Sequence, residues 1–98
     1  IENLERSLKI AQEIKDRQGE GNALGYLGNV YNSMGDYSKA IDYHERSLKI
    51  AQEIKNRLGE GQSLGNLGIA YYRMRDYPKA IENLERSLKI AQEIKDRQ

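Results

Sequence analysis

Apolar and small residues recur every three or four positions along much of the chain. Within residues 37–56 one stripe contains Ala40, Ile41, His44, Ser47, Leu48, Ala51 and Ile54. Spacing near 3.6 residues predicts an amphipathic α-helix that buries this stripe against a neighbour. Glu45, Lys49 and Glu53 follow the opposite face at four-residue steps, which adds some helix stability. No segment alternates with a period of two, so the pattern predicts an all-α chain.

The pattern repeats with a period of 40 residues. Residues 19–58 align with residues 59–98 without a gap, and 26 of the 40 positions are identical. Residues 1–18 correspond to the second half of the unit and match residues 81–98 at all 18 positions. We therefore predict one continuous domain with an incomplete repeat at 1–18 and whole repeats at 19–58 and 59–98. Each whole repeat holds a first helix, A, and a second helix, B, and residues 1–18 form a B helix.

Capping signals mark the start of each B helix. Asp36 and Asp76 are residues that favour the N-cap position. Pro78 would lie in the first turn, where its missing N–H costs nothing. Gly35 suits a left-handed position before the cap, whereas Arg75 replaces it in the second repeat, so that turn must form without glycine.

The other junction is predicted to be marked by four glycines, Gly19, Gly21, Gly59 and Gly61. Five helices follow, at about 2–17, 20–34, 37–56, 60–74 and 77–96. Short connections make neighbouring helices antiparallel, and stacked pairs bury the stripes that one pair alone leaves open. The predicted fold is an α-solenoid.

The order of small and apolar residues resembles that of the tetratricopeptide repeat family. The first whole repeat has Leu27-Gly28, Tyr31, Gly35-Asp36-Tyr37, Ala40-Ile41 and Leu48. The second has Leu67-Gly68, Tyr71, Asp76-Tyr77, Ala80-Ile81 and Leu88. The unit of 40 residues is longer than the usual unit of about 34. It resembles the long-helix subgroup that includes the Leu-Gly-Asn repeat protein and kinesin light chain.

This resemblance implies a right-handed superhelix in which A helices line the concave surface. It also implies a non-enzymatic scaffold that binds an extended peptide or protein segment there. The A-helix residues that packing leaves available are Asn22, Tyr26, Asn29, Asn32, Ser33, Gln62, Asn66, Ile69, Tyr72 and Arg73. Their five aligned pairs all differ, out of 14 differing positions between the two repeats, whereas residues 45–55 and 85–95 are identical; a binding face and drift of an exposed surface both explain this. Only Arg73 is basic, which argues against a clamp for C-terminal carboxylates.

Composition argues against several other functions. Lys and Arg number 16, Asp and Glu number 15, and the net charge of +1 gives no reason to expect nucleic acid or an anionic membrane as a partner. No apolar run reaches the length of about 18 residues needed to span a bilayer. The chain has no Cys, which rules out disulfides and thiolate metal ligands and favours an intracellular, cytoplasmic setting.

Residues that could carry chemistry are isolated. The single His, His44, stands where the other copies have Leu4 and Leu84, so we interpret it as a packing residue. The glycines of residues 19–25 are similar to a dinucleotide-binding loop, but the third glycine is one residue too far and no strand precedes it. We predict no enzymatic activity, no cofactor and no metal site.

A second interpretation is a structural or self-assembling unit, natural or engineered, with no dedicated ligand. Residues 1–18 are a B helix without its A helix, residues 77–96 are a B helix without a following A helix, and neither resembles a polar cap. Because the end segments are identical, residues 81–98 of one chain could occupy the place of residues 1–18 of another. The sequence leaves both interpretations open.

Overall fold

The chain forms five α-helices in the computed structural model, which describes residues 1–96. They are α1 Glu2–Glu13, α2 Arg17–Ser33, α3 Tyr37–Glu53, α4 Arg57–Arg73 and α5 Tyr77–Asp96. Each helix packs against the next one along the chain, and α2 also approaches α4. The predicted α-solenoid is confirmed: α1 precedes the stacked helix pairs α2–α3 and α4–α5. No helix within residues 1–96 combines the length and apolar character needed to cross a membrane.

The core lies between A and B helices and depends on two glycines of the A helices. Leu27 and Leu64 are completely buried. Gly28 faces the His44 ring so closely that an added Cβ would lie 2.6 Å from Nε2. Forty residues later Gly68 faces Leu84, whose Cγ would also lie 2.6 Å from an added Cβ. His44 is 1% exposed, so its prediction as a packing residue is confirmed.

The same backbone turn connects every pair of consecutive helices. One residue of each connection has a positive φ: 59° at Lys15, 81° at Gly35, 59° at Lys55 and 66° at Arg75. The following N–H reaches back to a carbonyl five residues earlier, as from Asp36 to Tyr31 at 2.9 Å. This is the Schellman arrangement, in which glycine usually occupies the left-handed position. The predicted roles of Gly35 and Arg75 are confirmed.

The predicted helix ends at the B-to-A junctions are wrong. The A helices were expected to start at about 20 and 60, but α1 ends at Glu13 and α2 begins at Arg17, with the same pattern 40 residues later. The reason is an N-cap. The Asp16 side chain accepts a hydrogen bond of 2.9 Å from the Gly19 N–H, and Asn56 caps α4 in the same way.

The four glycines expected to mark these junctions lie inside the A helices instead. At Gly19 an added Cβ would lie 2.4 Å from Oδ2 of Asp16, so the small residue leaves room for the capping side chain. At Gly21 an added Cβ would lie 3.2 Å from Cγ2 of Ile50 on the B helix. These glycines therefore permit close contacts and do not interrupt the helix.

Candidate functional site

A groove of about 140 Å³ lies between the two A helices, α2 and α4, and α3 forms its floor. Its lining, which we call the central groove, comprises Gln18, Gly21, Asn22, Gly25, Tyr26, Asn29, Ser47, Ile50, Ala51, Ile54, Asn56, Gly59, Gln62, Ser63 and Asn66. Pockets for drug-sized ligands are typically about 300–1,000 Å³. The central groove is therefore suited to a few side chains of an extended segment.

The walls of the central groove are rich in side-chain amides. No charged side chain lines it among the residues that the structure describes. The amides are Gln18, Asn22, Asn29, Asn56, Gln62 and Asn66. Each amide group offers both hydrogen-bond donors and an acceptor. Recognition in this groove would therefore depend on hydrogen bonds between neutral groups.

Three of these amides form a short hydrogen-bonded chain. The Asn56 Nδ2 donates to Oε1 of Gln18 at 3.3 Å, and the Gln18 Nε2 donates to Oδ1 of Asn22 at 3.1 Å. This chain links the start of α4 to the start of α2 across the groove. The side chains of the other three amides form no hydrogen bond within residues 1–96, which leaves their donors and acceptors available.

The floor of the central groove is apolar and held firmly against α2. Ile50 is 4% exposed and Ile54 is 37% exposed. Next to them, the Ser47 Oγ donates to the Gly21 carbonyl oxygen at 2.9 Å and accepts from Ser63 at 3.5 Å. The groove thus combines neutral polar walls with an apolar base. Within residues 1–96 no group of three or more His, Cys, Asp and Glu side chains is placed to bind a metal ion.

The groove recurs at intervals of 40 residues. A C-terminal half-groove of about 160 Å³ is lined by Leu58, Gly61, Gln62, Ser87, Ile90, Ala91 and Ile94. An N-terminal half-groove is lined by Ser7, Ile10, Ala11, Ile14, Asp16 and Gly19. Within the described part of the chain, each half-groove has a B helix and one A helix, whereas the central groove has a B helix and two.

Comparison with known proteins agrees with this repeated geometry. The family described as Tetratricopeptide repeat matches residues 1–53 and, in an overlapping match, residues 19–93. The chain belongs to the tetratricopeptide repeat family. The resemblance to this family that the sequence shows is thereby confirmed. Repeats of this family are generally protein-interaction modules.

A similar protein is tetratricopeptide repeat protein 29 of Trypanosoma brucei brucei. The two are 44% identical over 43 residues, a segment that covers 44% of this tetratricopeptide chain and 9% of that protein. The chain therefore spans only a small part of the length of this relative.

Five of the ten candidate binding residues line the central groove of this tetratricopeptide domain: Asn22, Tyr26, Asn29, Gln62 and Asn66. The other five do not line it: Asn32, Ser33, Ile69, Tyr72 and Arg73. Those five lie in the second half of each A helix. Among them, Tyr72 contacts Tyr77 edge to face at 5.7 Å, and the Asn32 Oδ1 is buried without a hydrogen-bond partner.

Sequence reasoning missed several lining residues. The predicted helix bounds leave Gln18 in the B-to-A junction and place Asn56 at the end of the B helix 37–56, because they start the A helices too late. The preference of Asn for the N-cap could have identified Asn56. Ile50 was left out of the predicted B-helix stripe, although it is spaced three residues after Ser47 and four before Ile54.

Proposed function

We propose that the central groove binds an extended, uncharged segment of another protein. The observation that carries this proposal is the uncharged lining, in which three amide side chains, Asn29, Gln62 and Asn66, have no hydrogen-bond partner within residues 1–96. An Asn or Gln amide presents a donor and an acceptor together, and so complements the N–H and C=O of a main chain that is not paired in secondary structure. The ligand is therefore held largely by its backbone.

Two features add side-chain selectivity to this backbone recognition. Ile54 is partly exposed at the base of the groove and offers a contact for an apolar ligand side chain. Tyr26 is 60% exposed at the wall, and tyrosine is frequent among residues that anchor protein interfaces. The preferred ligand has a small or apolar residue flanked by neutral ones.

A peptide selection tests this proposal. Random peptides displayed on phage are selected on the immobilised chain, and the best binders are synthesised and measured by titration calorimetry. We expect Asn29→Ala and Asn66→Ala each to raise Kd about 3- to 10-fold, as for the loss of a hydrogen bond. Tyr72→Ala, which alters a residue that is 60% exposed and lies outside the groove, is the control and leaves Kd unchanged.

Salt provides a second criterion. Because no charged side chain lines the groove, raising NaCl from about 0.05 M to about 0.5 M changes Kd less than about twofold. Peptides that keep their affinity for both Asn variants, or that lose more than about tenfold in affinity at high salt, would show that the site lies elsewhere.

A second activity, association of the chain with itself, is favoured by the exposed face of α5. Ile81 is 55% exposed, Leu84 is 42% exposed and Leu88 is 59% exposed. On α3, the residues equivalent to Ile81 and Leu88 are Ile41 and Leu48. Both are half-buried, because α4 packs against α3. We expect the apparent mass in sedimentation equilibrium to rise with concentration, and a constant monomer mass would exclude this activity.

A further inference from the structure

Two segments of identical sequence have different neighbours in this chain. In the described residues α1 packs only on α2, and α5 packs only on α4. On α1 the contact with α2 half-buries Leu8 and leaves Ala11 6% exposed. The same positions on α5, Leu88 and Ala91, are exposed. The face of α5 that is equivalent to the α2-binding face of α1 therefore packs against no helix within the described residues.

The opposite face shows the reverse relation. On α5, Ile90 is 5% exposed because it packs against α4 near Gly61. On α1 the equivalent Ile10 is 55% exposed. The central B helix, α3, has an A helix on each side, and there Ile50 and Ala51 are both buried. Within the described residues, α1 and α5 therefore each pack against one A helix, whereas α3 packs against two.

We propose that α5 of one copy docks on α2 of a second copy, in the place of that copy's α1. The interface that forms is one that the fold already contains, because residues 81–98 have the sequence of residues 1–18. The docked α5 then has an A helix on each side, as α3 does. The partner is thus a second copy of this chain, and the proposal gives the structural basis of the self-association proposed above.

Docking completes the C-terminal half-groove. Relative to the central groove, that half-groove lacks the wall that α4 supplies through residues such as Asn56, Gln62 and Asn66. In the joined pair the second copy's α2 supplies this wall, with Asp16 where the central groove has Asn56. The new groove therefore differs chemically from the central one, since a carboxylate replaces an amide. If the central groove binds neutral segments, the completed groove selects a segment with a cationic side chain.

Exchange of helices is favoured over simple addition because α1 already covers the required surface of α2. The released helix, α1, has one packing partner, α2. The incoming α5 of the other copy is already ordered by its contact with α4. An isolated helix of 12 residues is marginal in water, so released α1 regains conformational freedom. The hinge for this release is at Lys15. Its left-handed φ of 59° is unfavourable for a residue with a Cβ, and that strain is relieved when the turn opens.

A polar contact defines the register of the docked helix. The Gln12 Nε2 donates to Oε2 of Glu20 at 3.4 Å, and the Gln52 Nε2 donates to Oε2 of Glu60 at the same distance. In the joined pair Gln92 of one copy takes the place of Gln12 and meets Glu20 of the other. The contact is head-to-tail and does not close, so longer linear assemblies form at higher concentration.

Substitutions at two equivalent positions, Leu8 on α1 and Leu88 on α5, test the helix exchange. Leu88→Glu alters a residue that is exposed in the monomer, so the fold remains, but docking on α2 is lost. We expect its association midpoint in sedimentation equilibrium to rise at least about tenfold in concentration. Leu8→Glu weakens α1 on its own α2, frees the docking surface and lowers the midpoint at least about threefold. Circular dichroism verifies that Leu88→Glu retains its helix content.

A cross-link tests the register. The chain contains no Cys, so a Glu20→Cys, Gln92→Cys double variant has only the two introduced thiols. Under mild oxidation it forms disulfide-linked dimers and longer species. The control pairs Glu20→Cys with Lys89→Cys, because the equivalent Lys49 is exposed even between two A helices. We expect the control pair to form few linked species.

The outcomes separate this inference from the proposals on which it rests. A strict monomer at all concentrations overturns both self-association and helix exchange. Association that Leu8→Glu weakens or leaves unchanged, or cross-linking that is equal in both Cys pairs, overturns helix exchange and leaves self-association standing. Peptide binding to the central groove is measured at concentrations where the chain is monomeric, so its failure is detected independently.

Discussion

Acid should destabilise this protein through His44. The side chain is 1% exposed beside Gly28, and its Nδ1 has no hydrogen-bond partner in the described structure. Burial lowers the pKa of His44 from 6.5 to about 4, because the charged imidazolium would lose its hydration. In the unfolded chain the same ring is hydrated and takes up a proton near pH 6.5.

The sign and size of the effect follow from these two pKa values. Above pH 6.5 the ring is neutral in both states, and the stability is complete. As the pH falls from 6.5 towards 4, only the unfolded state binds the proton, so the free energy of unfolding decreases; below pH 4 there is no further loss. Each pH unit in this window is worth about 1.4 kcal/mol, so the full loss is about 3 kcal/mol and the loss by pH 5 is about 2 kcal/mol.

The measurement is urea unfolding at pH 7 and pH 5, with His44→Leu as the control. Leucine is the residue at the equivalent position 84, where it packs against Gly68 as His44 packs against Gly28. We expect His44→Leu to be about 1 kcal/mol more stable at pH 7, because no unsatisfied buried nitrogen remains. Between pH 7 and pH 5 it should lose about 2 kcal/mol less than the parent protein. Equal losses in both proteins would refute the reasoning, since carboxylate titration is common to both.

Four further substitutions test the packing and the turns by thermal or urea unfolding. Gly28→Ala should lower the free energy of unfolding by about 1–3 kcal/mol through overpacking. Gly25→Ala is its control: the added Cβ would have only the Ser47 Oγ nearby, at 3.6 Å, so this substitution should be neutral or slightly stabilising. Equal effects of the two substitutions would contradict the close-approach argument. Arg75→Gly should add roughly 0.5–1 kcal/mol because its φ is 66°, and a loss of stability would argue against strain there. Ser47→Ala removes the hydrogen bond to Gly21 and should cost about 1 kcal/mol; no change would mean that water replaces it.

The helix pairs could be predicted from the sequence because their apolar period and the caps at Asp36 and Asp76 agree. The B-to-A junctions were predicted too late in the sequence, because lysine takes the left-handed position that glycine usually marks and the caps at Asp16 and Asn56 were overlooked. Residues 93–95 repeat residues 13–15, yet α5 continues through Asp96 whereas α1 ends at Glu13. The same three residues therefore end a helix only where a capped helix follows them, so residues 13–15 alone do not determine where α1 ends.

The candidate site was predicted in part for a similar physical reason. Positions on A helices that packing does not need could be found from periodicity, and half of them line the central groove. Which half depends on where the A helices approach each other, and that is a property of the stacked pairs. Asn56 lies at the end of a predicted B helix in the sequence, whereas in the fold it lines the central groove. Its contribution to the site therefore depends on how the repeats stack.

The uncharged lining of the central groove has a consequence for the rates of binding. A partner that approaches it gains little from long-range electrostatic attraction, and the net charge of +1 adds almost none. Association would then proceed at about 10⁵–10⁶ M⁻¹s⁻¹ for most ligands. Differences in affinity among them would arise mainly in the dissociation rate. Such a groove would discriminate among partners mainly through the residence time of each complex.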